Sequence, residues 1–345
     1  MNKKIIALLL GLTAVSASAD TTVVITGSTA FRPIVYDRIT NILVGITATN
    51  GADSNHRTFT GSIAGSPGLG NVSIACGFTG SGSGMISVRD QSSVSTTAGN
   101  LVPQVAFSDV FAETAGIDGS IFKQDVVGVI PFVFFKNAAI ANSTSGITNL
   151  TQRQVAYLMA ASGTLPTAYF GGSSTNDILY LCGRDSGSGT RICTESCVYF
   201  SGTPANWWKN TVSGAIEPAP GGGFSSGSAL ADNVAIFNNS IGYAGKPDAN
   251  RFASTYIDFE GYDASDENVA KGKYSVWGYE HVVRKTSGTG APSANQNSVI
   301  NKLISAMQDE TFQTQNTLYF GSYVPLSEME VERTADGGPI TSIIY

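Results

Sequence analysis

An α/β fold in two domains, each with a mixed, mostly parallel sheet flanked by helices, is predicted for this chain by three observations. Short β-rich runs alternate with stretches of helical periodicity, the pattern of strands joined by crossover helices. Residues 126–135 form a long, almost wholly apolar run, as expected of a strand buried on both faces. The length of 345 residues suits two domains of ordinary size.

Met1-Asn-Lys-Lys4 is basic, residues 5–15 are apolar, and Ala17-Ser-Ala19 has the small residues of a cleavage site. Together they read as a secretory signal cut after Ala19. No Cys stands at the cut, so a lipid anchor is not expected, and no later run of about 20 apolar residues offers a membrane span. The mature protein is expected in the periplasm or otherwise exported. Residues 22–25 read as a strand leading into a Gly/Ser turn. Phe31, Ile34, Val35, Ile39, Ile42 and Leu43 then recur at helical spacing, with Pro33 suited to a first turn. The polar, Gly-rich insert 49–70 reads as a loop or hairpin. Strand 72–75 feeds a second Gly/Ser turn, and the apolar run 103–107 ends at Ser108-Asp109. Residues 151–161 look helical, with Val155, Leu158 and Met159 apolar. Strand 178–182 leads through a third turn to a helix within 191–200. The low-complexity stretch 218–227 reads as a mobile loop. A helix at 229–238, strands at 241–243 and 274–283, and a strongly periodic helix at 298–307 complete the pattern.

The three turns, at 26–31, 79–84 and 183–191, carry the chemistry. Each follows a β-rich run and precedes a helix. A helix N-terminus presents unpaired N–H groups and a partial positive charge, so it binds anions. Arg184 adds a planar donor fork, and Ser188 and Thr190 add hydroxyls. All three turns and Asp109 lie at the carboxyl ends of strands, where α/β sheets hold their ligands. The chain has 20 basic and 26 acidic residues, a formal net charge of −6, and no basic stripe, which argues against nucleic acid. Local donors still decide anion binding, because salt screens surface charge beyond about 8 Å. Four cysteines remain: Cys76, Cys182, Cys193 and Cys197. Export permits disulfides among them, free burial is the plainer alternative, and zinc is poorly supported because His56 and His281 lack metal-ligand spacing. No cofactor or metal is expected.

The residues Gly27-Ser-Thr-Ala-Phe31 with Val35-Tyr36, Gly80-Ser-Gly-Ser-Gly84, Phe107-Ser-Asp109, Arg184 with Ser188-Gly189-Thr190, and Ser240-Ile-Gly-Tyr243 occur in this order. In this the chain resembles the periplasmic phosphate-binding proteins of phosphate ABC importers, from about Val24 to about Val324. Arg184…Ser188-Gly-Thr190 is the most specific piece. The resemblance implies a type II periplasmic-binding-protein fold. Domain I would comprise 20–128 and 277–345 and domain II 129–276, with two crossing strands between them and inorganic phosphate in the cleft. It implies permease subunits of an ABC importer as partners, a monomer, and no enzymatic activity. Carried over, Phe31 and its neighbours Thr29 and Ala30 would offer backbone N–H groups. Ser81 would donate a hydroxyl, and Arg184, Ser188, Gly189 and Thr190 would grip the anion from the other domain. Asp109 would accept the proton that phosphate still carries near neutral pH and repel sulfate, which has none; its alternative is a helix N-cap. The chain departs from the pattern at Ala30, where a hydroxyl is common and Thr29 or Ser28 would substitute, at Ser186, and in the extra cation Arg32. Another tetrahedral oxyanion, or phosphate sensing or storage, stays open as an alternative.

The rival class is a secreted serine hydrolase. Gly223-Phe-Ser225-Ser-Gly227 matches the nucleophile-elbow pattern and Asp185-Ser186-Gly187 has a protease-like look, but an elbow needs a strand before it and a His base, here only His56 or His281. A nucleotide phosphate loop lacks its Gly-Lys-Ser/Thr. Trp207-Trp208 reads as a packing anchor in preference to a carbohydrate platform.

Overall fold

The computed structural model describes residues 20–137, 144, 146–309 and 323–343; the expected export signal lies outside them. The chain first builds β1 (Thr21–Gly27), α1 (Arg32–Ile42), β2 (Leu43–Asn50), β3 (His56–Ile63), β4 (Val72–Gly77), α2 (Ser81–Asp90), β5 (Val94–Thr96), β6 (Gly99–Leu101) and β7 (Val105–Ser108). The long β8 (Phe122–Lys136) leads to β9 (Asn149–Leu150), α3 (Gln152–Ala160), β10 (Thr164–Pro166), β11 (Ile178–Cys182), α4 (Gly189–Cys197), β12 (Trp207–Lys209) and β13 (Ile216–Pro218). Then come α5 (Gly227–Ile236), β14 (Ser240–Gly245), α6 (Lys246–Ala249), β15 (Tyr256–Phe259), α7 (Asp266–Ala270), β16 (Trp277–Lys285), α8 (Ala294–Met307), β17 (Val331–Glu332) and β18 (Thr341–Ser342).

One sheet runs through the molecule in the order β10-β11-β14-β8-β16-β7-β1-β4-β3-β2. The parallel ladders that position the site are β7-β1-β4 and β11-β14. The other pairings along this order are antiparallel, so the sheet is more mixed than the alternation of strands and helices suggests. One reason is the insert expected at 49–70. It is a hairpin that starts earlier, at Leu43, and β3 pairs with β4 from His56↔Gly77 to Gly61↔Val72. Thr, Ile and Val in the flanks supply the β propensity that the polar, Gly-rich look of the insert concealed. Phe59 and Ile63 from this hairpin are buried in the core.

The helices follow from their caps and apolar stripes. α1 has a proline in its first turn and buries Ile34, Val35 and Ile39. α3 and α8 each begin with a capping box, Thr151 with Gln154 and Ser293 with Gln296. α8 buries Val299, Ile300, Leu303, Ile304 and Met307, the stripe read from the sequence. α4 starts at Gly189, earlier than periodicity placed it, because Ser188 caps it by accepting from Arg191 N. Trp207 is half-buried, with Nε1 donating to Ser162 O at 2.8 Å, which makes it a packing anchor.

β8 and β16 tie the two parallel ladders together. Residues 122–131 of β8 pair with β16, and Phe132–Lys136 pair with β14. The exchange of partners falls at Pro131, opposite Trp277. A proline cannot donate to a ladder, and a change of partner is one of the few places inside a sheet that tolerates it. Among the described residues no helix is long and apolar enough to cross a membrane.

Candidate functional site

The three Gly/Ser turns, which follow β1, β4 and β11, interlock. Gly80 N donates to Gly27 O at 2.8 Å, and Gly82 N donates to Gly187 O at 3.0 Å. Gly80 has φ +100°, and a Cβ there would stand 2.8 Å from Gly187 O. Only glycine satisfies both the left-handed backbone and the close approach.

The site residues read from the sequence are buried together: Thr29, Ala30, Phe31, Ser81, Asp109, Arg184, Ser188 and Thr190 are each at most 2% exposed. In the first turn, Ser28 Oγ accepts from Phe31 N at 3.0 Å and donates to Asp109 Oδ1. The Phe31 N–H expected to face a ligand is thus engaged by Ser28. Thr29 Oγ1 accepts from Arg184 Nη2 at 3.1 Å, joining the first turn to the third. Ser28 and Thr29 therefore supply the hydroxyls that Ala30 lacks. Ser81 Oγ accepts from Asp109 N at 3.1 Å, which leaves its O–H to donate elsewhere. Thr190 Oγ1 donates to Asp109 Oδ2 at 3.4 Å. In α4 the Ser188 hydroxyl oxygen is used by the cap, while the N–H groups of Gly189 and Thr190 have no intrahelical acceptor.

Arg184 is held by backbone. Nε donates to Phe224 O at 2.9 Å and Nη2 to Ser225 O at 3.0 Å, while Nη1 has no partner among the described residues. Burial pulls its pKa down, and Asp185, Asp248 and Asp109 oppose that. The stretch 218–227, expected to be a mobile loop, thus includes the carbonyls that grip the guanidinium. Carbonyl ligands leave no side-chain signature, so sequence reading missed them. It also missed Asp248, whose carboxyl is pushed up to about 6 by burial, against the pull of Arg32 and Arg184. Arg32 Nη2 lies 3.5 Å from Asp248 Oδ1. Glu280, fully buried, was missed as well, although an acid in the apolar run 274–283 was a signal.

Gly189 sets how closely α4 approaches. A Cβ there would lie 2.6 Å from Ser81 Cβ and 3.0 Å from Asp109 Oδ2. Gly189→Ala is expected to push α4 off Ser81 and weaken anion binding about tenfold or more, on the scale of overpacking costs. Calorimetry with circular dichroism as a folding control checks this; unchanged affinity would show that the turns are not closely fitted.

The hydrolase constellation does not assemble. Ser225 precedes a helix but follows no strand, and Ser226 is the cap of α5. His281 is buried, and neither ring nitrogen has a hydrogen-bond partner among the described residues; the Phe111 ring packs tilted against it, with centroids 4.5 Å apart. His56 is bound to Asp53 on the hairpin. Burial drives His281 from 6.5 down to about 4. The unfolded chain then binds the extra proton between these values, so stability is full above about 6.5 and falls as the pH drops towards 4. His281→Phe is expected to remove up to about 3 kcal/mol of this acid loss and move acid unfolding to lower pH. An unmoved midpoint would show that His281 is not held neutral.

All four cysteines are free and buried, so the expected option of disulfides is not realised. Cys193 Sγ lies 3.9 Å from Cys197 Sγ and donates to Trp277 O. Among the described residues no group of three or more potential ligands is placed to hold a metal.

The architecture is the type II periplasmic-binding-protein fold, with interlocked turns at the strand ends. No family model matches the chain. It is 26% identical over 235 residues to the phosphate-binding protein PstS of Bacillus subtilis strain 168, covering 68% of each chain. Among solved structures it is similar to a Clostridium perfringens protein assigned as a phosphate ABC transporter substrate-binding protein and solved with bound phosphate. That match has TM-score 0.57 and 17% identity, covering 89% of this chain and 100% of that one. An ABC-type phosphate transport receptor from Vibrio cholerae gives TM-score 0.53 at 15% identity, covering 88% and 99%. The chain thus resembles phosphate-binding proteins of ABC transporters in sequence and in fold.

Proposed function

We propose that this chain is an exported binding protein that captures inorganic phosphate and delivers it to an ABC importer, acting as a carrier and not as an enzyme. The observation that carries this reading is Arg184 Nη1, a buried guanidinium nitrogen without a partner among the described residues. The same guanidinium is tied to the first turn through Thr29 Oγ1 and interacts with the charge of Asp109, whose backbone N–H is held by Ser81 Oγ. A buried charge left uncompensated is costly, and a tetrahedral oxyanion supplies the missing acceptor. Thr29, Ala30, Ser81, Asp109, Arg184, Ser188, Gly189 and Thr190 form the ligand set, and Phe31 acts through Ser28. Ser28 relays the Phe31 N–H to Asp109.

Residues 20–128 with 277–345 form one lobe and 129–276 the other. They move about β8 and β16, and closure excludes water and strengthens each donor contact. Asp109 makes the site selective, because it accepts a hydrogen bond from a protonated anion and repels one without a proton.

Calorimetric titration of the protein, stripped of ligand, with phosphate, arsenate and sulfate tests the reading. Tight phosphate and arsenate binding without sulfate heat is the expected result. A folded protein that ignores phosphate would move the function to another oxyanion or to a different role.

A further inference from the structure

β16 runs antiparallel to β7 with His281 opposite Ser108, so Glu280 arrives beside Asp109 at the carboxyl end of β7. The approach is close: a Cβ on Gly278 would lie 2.2 Å from Asp109 O. Glu280 is 0% exposed, and neither carboxyl oxygen makes a hydrogen bond of good geometry to the described residues. The two acids have opposite surroundings. Asp109 takes hydroxyl donors on both oxygens, from Ser28 and Thr190, and lies within the field of Arg184. Glu280 has neither a donor nor a cation acting on it; the one charged group acting on it is Asp109. His281, next along the strand, packs against Phe111, and from α4 the Cys193 thiol lies over Gly278. Two adjacent carboxyls in a dry pocket do not both ionise. Burial and the Asp109 charge both push Glu280 well above the usual carboxylate range.

We propose that Glu280 stands behind Asp109 as a neutral carboxylic acid, a specificity-setting residue that keeps the pair at one negative charge so that a multiply charged oxyanion can bind beside it. The inference rests on the oxyanion reading of the site. With its proton, Glu280 turns a hydrogen-bond donor towards Asp109 and adds no charge. Without it, the pocket holds a second buried negative charge facing the ligand. Anion affinity then falls at alkaline pH as Glu280 ionises, and the bound anion in turn makes Glu280 hold its proton more tightly.

The test compares wild type with Glu280→Gln, which keeps the shape and a neutral donor. Phosphate affinity is measured by calorimetry from mildly acidic to alkaline pH. The titration of phosphate itself is common to both proteins and cancels in the ratio of their dissociation constants. The expected ratio is constant near neutral pH and grows against wild type by about tenfold for each pH unit above the ionisation of Glu280. Parallel profiles overturn the proposal. A second readout does not need a ligand. The infrared spectrum of the ligand-free wild type at neutral pH should contain a protonated-carboxyl band that Glu280→Gln lacks, and absence of that band also overturns the proposal. If the band is present but wild type binds no phosphate at any pH, Glu280 is neutral as proposed and the phosphate reading is what fails.

Discussion

Arg184→Ala is expected to weaken phosphate binding by more than about a hundredfold. Truncating one partner of a buried, charge-assisted contact costs about 2–5 kcal/mol, and about 1.4 kcal/mol is a factor of ten. Arg184 stands at the upper end of that range for a geometric reason. Its Nε and Nη2 are fixed by Phe224 O, Ser225 O and Thr29 Oγ1, so Nη1 is held in place before any ligand arrives. No side-chain ordering remains to be lost on binding. Arg184→Lys should rescue little, since a single ammonium cannot satisfy two carbonyls, a hydroxyl and an anion from one point. Titration calorimetry reads the affinity, and thermal unfolding supplies a control. Phosphate should raise the melting temperature of wild type and leave that of Arg184→Ala unmoved. A variant that binds as tightly as wild type removes Arg184 from the site.

Asp109→Asn is expected to collapse discrimination between phosphate and sulfate. In wild type the carboxylate accepts from Ser28 and Thr190 and offers remaining lone pairs to the pocket. A protonated oxyanion donates to one of them, whereas sulfate meets only negative charge. That difference amounts to several kcal/mol in a buried site, or at least about a hundredfold in selectivity. Asparagine removes the charge and turns an N–H group towards the ligand. Both hydroxyl partners can rotate to suit it, so the fold should survive. Competition of sulfate against phosphate measures the effect. Preserved selectivity would mean that discrimination lies elsewhere, for instance in the fit between Gly189 and Ser81.

Much of this site was legible because its parts obey local rules. An apolar run such as Ile178–Cys182 reads as a buried strand, and a helix that follows a Gly/Ser turn begins with N–H groups that have no intrahelical acceptor. Arg184, Ser188 and Thr190 were read from that turn, and Gly189 joined them through the resemblance. α8 was equally plain, since its apolar stripe and its cap agree. What stayed hidden depends on distant pairing. Phe224 and Ser225 act through carbonyls, which every residue has. Asp248 reaches Arg32 across 216 positions of chain. The insert stayed open between a loop and a hairpin because its polar face is exposed, and the edge of β4 that it completes is not written in its own residues. Glu280 is a case of consistency broken locally: an acid among Trp277, Tyr279 and Val282 violates the pattern of a buried strand, and such violations concentrate where a protein works.

Pro131 gives the sheet a mechanical property. A β-sheet resists bending because each rung of its ladder shares the load, and stiffness is lost where a rung is missing. β8 is interrupted at two places: at Pro131, which has no N–H to give where the strand leaves β16 for β14, and at the register shift opposite Glu280/His281. Compliance is therefore expected at these two places and not evenly along the fifteen residues of the strand. The β1–β4 and β1–β7 ladders run without a register shift. The spacing of the donors at the ends of those strands is then expected to survive flexing of the long strands.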